Sequence, residues 1–96
     1  MAEIIWTNAA VEDLQQLNDY IGRSSPKFAE SLTDKLIAQA EALKTMPMLG
    51  RVVPEFQQES LRELLVQRYR LVYRLPQPER VEIIRIIHSS LPTGRL

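Results

Sequence analysis

A chain of 96 residues can build one compact domain with a modest core, and is too short for a cofactor domain beside a substrate domain. It has no cysteine and a single histidine, His88, which excludes disulfides, thiol catalysis and thiolate or histidine-rich metal sites; neither a metal nor a cofactor is expected. Net charge is zero, yet positions 1–48 hold four basic against seven acidic residues and positions 49–96 hold eight against five, an asymmetry that points the C-terminal half toward something anionic.

The chain opens Met1-Ala2-Glu3-Ile4-Ile5-Trp6, acidic where a secretion signal is basic. No apolar run is long enough to span a membrane. The expected location is the cytoplasm. Residues 3–6 are β-branched and aromatic and predict a short first strand. Thr7 then offers a hydroxyl to cap a helix, whose apolar stripe is Ala10, Leu14, Leu17 and Ile21 with Val11 beside it, ending near Gly22. Glu12, Asp13 and Asp19 fall on its polar side, where a solvated face is expected rather than a paired-carboxylate site.

Ser24-Ser25-Pro26 restarts the chain with a capping serine and a proline at the first helical position. The second helix, predicted from 26 to about 45, carries Ala29, Leu32, Leu36, Ala40 and Leu43 on one face, with Phe28 and Ile37 at its edges. Two helices joined so tightly must form an antiparallel hairpin. Residues 49–60 contain Gly50 and Pro54 and read as a connecting loop.

Beyond that loop the period changes to two. Strands are predicted at 61–66, around 69–75 and at 81–88, joined by Gln67-Arg68 and by Pro76-Gln77-Pro78-Glu79 as an antiparallel meander. Tyr69, Leu71, Tyr73 and Leu75 should face the helices, with the alternate arginine-bearing face turned to solvent. The tail, about 90–96, has no periodicity and is expected to fray or to await a partner. The fold class is thus α+β in the order β-α-α-β-β-β, one domain over 1–96, with the antiparallel helix hairpin packed on a small, mainly antiparallel sheet.

Six fragments in this order resemble the ParE/RelE toxin superfamily, and its ParE-like plasmid-stabilisation branch in particular. They are Trp6-Thr7-x-x-Ala10 followed by Asp13-Leu14 and Tyr20-Ile21; Met46-Pro47-x-x-Gly50-Arg51; Val53-Pro54-Glu55; Arg62-Glu63-Leu64; Tyr69-Arg70-Leu71-Val72-Tyr73-Arg74; and Ile84-Arg85-Ile86-Ile87-His88. The resemblance implies the toxin of a type II toxin–antitoxin pair, neutralised by a small ParD-like antitoxin in a hetero-oligomeric complex. The ParE-like branch is associated with poisoning DNA gyrase, and the RelE-like branch with cutting mRNA on the ribosome.

Chemistry separates the two branches. Attack of a 2′-hydroxyl on its phosphate needs a base or orienting group, cations for the developing negative charge and an acid for the leaving oxygen. RelE-like enzymes supply these from arginines, a lysine and a tyrosine late in the chain. Here the last lysine is Lys44 and no aromatic residue follows Tyr73. A nuclease would have to use Arg62, Arg85 and His88, the last being able to change charge near neutral pH. The bland reading of His88 is a residue that caps the end of a sheet strand. The leading expectation is therefore a gyrase-binding toxin without catalytic residues. The alternatives are a ribosome-dependent mRNA endonuclease and a nontoxic interaction module, the latter because Ser89-Ser90-Leu91-Pro92 lacks the arginine that often follows the histidine in similar toxins.

For partner binding the candidates are Arg62, Arg68, Arg70, Arg74, Arg85 and His88, since the guanidinium fork suits carboxylate and phosphate alike. Their bland reading is ion pairing with Glu63, Glu79 and Glu82. No sequence-specific nucleic-acid contact is expected, because the alternation keeps the aromatic residues on a different face from the cations. A free sheet edge, or the groove beside the hairpin, would receive the antitoxin.

Overall fold

In the computed structural model, which describes residues 1–92, β1 (Glu3–Trp6) runs straight into α1 (Asn8–Gly22). Thr7 makes this turn. Its extended backbone leaves the Oγ1 hydroxyl to accept the Ala10 N–H at 3.2 Å, as the sequence predicts, and the same hydroxyl donates to the Ile83 carbonyl at 2.9 Å. The start of the helix is thereby fixed to the sheet. Ser25 caps α2 (Pro26–Ala42) by accepting the Phe28 N–H, with Pro26 at the first turn.

The helical hairpin lies on one face of a five-stranded sheet. Besides β1, its strands are β2 (Arg51–Val52), β3 (Leu61–Val66), β4 (Tyr69–Gln77) and β5 (Arg80–His88), in the spatial order β1-β5-β4-β3-β2. The meander β3-β4-β5 is antiparallel, and β1 joins the far edge parallel to β5. Three boundaries differ from expectation. The helix α2 stops at Ala42, β4 continues through Pro76 to Gln77, and the segment expected to be loop contains β2. The strand β2 pairs with β3 through Arg51 and Val52 alone, too short to carry a periodicity.

The core follows the predicted stripes. Ala10, Leu32, Leu36, Ala40 and Leu43 meet Val66, Leu71, Tyr73, Val81, Ile83 and Ile86, with Leu14, Leu17, Ile21 and Trp6 packed at the margin. Val11 remains exposed. A second apolar cluster lies on the opposite sheet face, where Val53 and Phe56 fold over Leu61, Val72 and Ile84. That face was expected to meet solvent. Residues 53–56 cover it instead, and this cover decides what happens to the arginines.

The strand β1 pairs with β5 only as far as Ile83. A register shift between Val72 and Tyr73, opposite Ile84, then bends β5. Past this bulge Asp13 of α1 accepts the Ile86 N–H at 2.9 Å. A helix carboxylate thus occupies a strand edge that would otherwise be open to pairing.

Among the described residues, no helix is long and apolar enough to cross a membrane, and no group of three or more His, Cys, Asp or Glu could hold a metal ion.

Candidate partner-binding surface and the arginine network

Arg62 projects from β3 beside Tyr73, its register partner on β4. It is buried. Its Nη1 donates to the Gly50 carbonyl at 2.8 Å, its Nε to the Glu59 carbonyl at 2.9 Å, and its Nη2 to the Glu59 carboxylate at 2.7 Å. Tyr73 completes this corner: its hydroxyl donates to the Pro47 carbonyl and accepts the Gly50 N–H, both at 2.8 Å. Burial pushes the Tyr73 phenol above its ordinary range, against smaller opposing effects of the Gly50 bond and the Arg62 charge.

The loop that covers the sheet is tied down by charge. Glu63, fully buried, accepts Arg70 Nε at 2.6 Å through one oxygen and Arg51 Nε at 2.7 Å through the other. Arg70 in turn reaches Glu55 with two parallel bonds of 2.9 Å. Held chiefly by Glu55 and also by Glu63, the Arg70 guanidinium is still more firmly protonated than usual, although burial works against this. Arg70 is therefore not on a solvent-facing arginine surface, contrary to the alternation argument. The reason is that Glu55 of the covering loop and the buried Glu63 hold it against the protein.

Arg85 is half-buried and grips Asp13 through two bonds, 2.7 and 3.2 Å. These bonds raise the Arg85 pKa further. Asp13 is thus a structural anchor, not the solvated residue its polar helix face suggested. The sequence signals for this role are its place beside Leu14, on the border of the apolar stripe, and the Asp13-Leu14 fragment of the family resemblance. Arg74 is exposed and pairs with Glu82, which Arg80 also approaches. Of the expected acidic partners, Glu63 and Glu82 pair across strands, whereas Glu79 uses its backbone carbonyl to accept the Glu3 N–H. Arg68 is exposed in the β3–β4 turn.

His88 ends β5 as the bland reading expected. Its ring stands nearly perpendicular to that of Tyr69, with centroids 5.2 Å apart, and its Nδ1 accepts the Ser90 N–H at 3.1 Å with the Ser90 hydroxyl 2.7 Å away. That arrangement places the proton of the neutral ring on Nε2. The structure does not bring Arg62, Arg85 and His88 together. A whole strand, β4, separates Arg62 from β5, a backbone distance of roughly 10 Å, and Arg85 stands three residues before His88 along β5. The tail proposed to await a partner lies, from residue 93 on, outside the described residues.

Two helices on one face of an open, mainly antiparallel five-stranded sheet are the architecture of the ParE and RelE toxins. The chain matches the family described as "ParE toxin of type II toxin-antitoxin system, parDE" over residues 4–91. It is 33% identical over 90 residues to Toxin RelE2 of Caulobacter vibrioides, covering 94% of this chain and 98% of that protein. The fold is that of a chromosomal ParDE system from P. aeruginosa, with a TM-score of 0.75 at 21% identity, over 92% of this chain and 96% of the other. The RelBE2 toxin–antitoxin complex of Mycobacterium tuberculosis is also similar in fold, with a TM-score of 0.51 at 21% identity over 91% and 96% of the two chains. This chain belongs to the ParE toxin family and is a type II toxin of the ParE/RelE superfamily.

Proposed function

We propose that this toxin arrests growth by binding DNA gyrase in the cytoplasm, without catalysing a reaction, and that a cognate antitoxin holds it inactive. The observation that carries this reading is the state of the two cations an RNA-cleaving site would need. Arg62 is buried against Gly50 and Glu59, and Arg85 is gripped by Asp13. Stabilising a phosphorane requires preorganised donors aimed at the charge as it develops, and these two guanidiniums are instead oriented by other groups of the protein, on strands β3 and β5 with β4 between them. The nearby phenol of Tyr73, buried and pushed up in pKa, is poorly matched to proton transfer near neutrality. The solved relatives described as toxin–antitoxin systems support a protein antitoxin as the neutralising partner.

Induction in bacteria tests the reading. Growth arrest with loss of supercoiling activity, DNA breaks and intact mRNA is expected, and His88→Ala should leave the arrest unchanged. Ribosome-phased mRNA cuts that vanish in His88→Ala would overturn it in favour of an endonuclease, a reading to which the similarity to Toxin RelE2 lends weight. Unimpeded growth would leave only an interaction module.

A further inference from the structure

The large apolar residues of α2, Leu32 and Leu36, belong to the core shared with the sheet, and small residues are left where the two helices of the hairpin run together. A Cβ added to Gly22 would stand 4.0 Å from that of Ala29. With no bulky side chain to fill it, an open cleft of about 450 Å³ remains between α1 and α2. Leu14, Gly22, Pro26 and Ala29 give it an apolar lining, and the Thr33 hydroxyl joins its two walls by donating to the Asn18 side-chain oxygen at 3.4 Å. From Leu14 to Gly22 the α1 wall is about 12 Å long at the rise of a helix, a little over two turns.

The charge on this cleft is of one sign. Glu30 and Asp34, one turn apart on α2, both line it and are exposed, and among the described residues no lysine or arginine lines it. Neither carboxylate has an ion pair or hydrogen bond within the described protein. They differ in this from Glu41, Glu59, Glu63 and Glu82, each of which already holds a cation of the chain. Lys35, next to Asp34 in sequence, lines a different groove, with Leu65 and Val66. An apolar cleft edged by uncommitted carboxylates is complementary to a segment that sets apolar side chains between cations. A helix matches the shape, since the ridge of side chains along one helix packs into the groove that others leave.

From this geometry we propose that the cleft between α1 and α2 is a docking groove for a basic amphipathic helix of another protein, which lays its apolar face on Leu14 and Ala29 and its arginines or lysines on Glu30 and Asp34. The inference is independent of which molecule the toxin inhibits. Nucleic acid is disfavoured, because the two carboxylates repel phosphate. A second copy docking through the same face is disfavoured as well, because it would bring like charges together.

The full chain, carrying isotope-labelled alanine and leucine methyl groups, would be titrated with a synthetic helical peptide bearing alanine and leucine on one face and arginine along both edges of that face. A control peptide would carry glutamate in place of every arginine. The Leu14 and Ala29 methyl signals are expected to shift saturably with the basic peptide, and far less with the acidic one. The double variant E30Q/D34Q should keep its melting temperature and bind the basic peptide roughly tenfold more weakly, and E30K/D34K should reverse the preference. Gly22→Leu tests the shape separately: its Cβ meets Ala29 at an ordinary contact distance, so the variant should fold while the rest of the side chain fills one end of the cleft and blocks the peptide. Unmoved methyl signals, equal shifts with both peptides, or undiminished binding in either E30Q/D34Q or Gly22→Leu would overturn the proposal. Shifts that follow protein concentration alone would also overturn it and assign the cleft to self-association.

Discussion

Gly50 has no room for a side chain. A Cβ there would stand 2.6 Å from the Glu63 carbonyl oxygen and 2.7 Å from the Tyr73 ring and hydroxyl, distances that backbone and a buried ring cannot relax easily. Gly50→Ala is therefore expected to cost about 1–3 kcal/mol or somewhat more, measurable as a lower denaturation midpoint. Tyr73→Phe keeps the ring and removes the hydroxyl, leaving the Gly50 N–H and Pro47 carbonyl without their bonds; about 1–3 kcal/mol should be lost. The sequence marks Gly50 only as punctuation between a helix and a strand. Its reason is a phenol 23 positions later, and that phenol was legible as core by alternation but not as a clamp. Local pattern reports a residue's direction and not what it meets.

At the scale of elements, caps and stripes could be read from single residues because they are local: Thr7, Ser25 and Pro26 act within one helical turn, and the period-two run 69–75 names its own buried face. The covering of the opposite face was not legible. It depends on Glu55, in the covering loop, reaching Arg70, 15 positions away, within a segment that has no period. The buried Glu63 between Arg70 and Arg51 is the keystone of that covering. Glu63→Ala should cost about 1–3 kcal/mol, because the buried Arg70 guanidinium loses its Glu63 bond and keeps only those to Glu55, whereas the double replacement of Glu63 and Arg70 by leucine should be milder. Chemical denaturation of the two variants tests this, and equal losses would show that packing rather than charge pairing holds the loop. Asp13 performs the corresponding task at the other edge. Asp13→Ala removes the carboxylate bond to the Ile86 N–H and releases Arg85, with an expected loss of about 1–3 kcal/mol. Hydrogen exchange should accelerate at the Ile86 amide before it does in β4, since only the outer edge of β5 is opened.

For the molecule as a whole, the uneven charge between its halves proves to be partly an internal matter. Asp13 from the acidic half neutralises Arg85 from the basic half, and Arg70 and Arg74 find carboxylates within their own half. The arginines read from sequence as a surface for partners are thus mostly structural, and the fold should respond to pH through its buried phenols. Burial raises the pKa of Tyr73, and that of Tyr69 with a smaller effect of Tyr20. The unfolded chain therefore loses its phenolic protons first, near pH 10, while the folded chain retains them. Stability from these groups is complete below about pH 10 and falls as pH climbs toward the folded-state values. Denaturation midpoints measured from about pH 8 to pH 11 should hold level and then decline. In Tyr73→Phe the starting midpoint should be lower and the alkaline decline shallower, because one of the two shifted protons is gone. A decline equally steep in that variant would place the alkaline sensitivity outside the Tyr73 clamp.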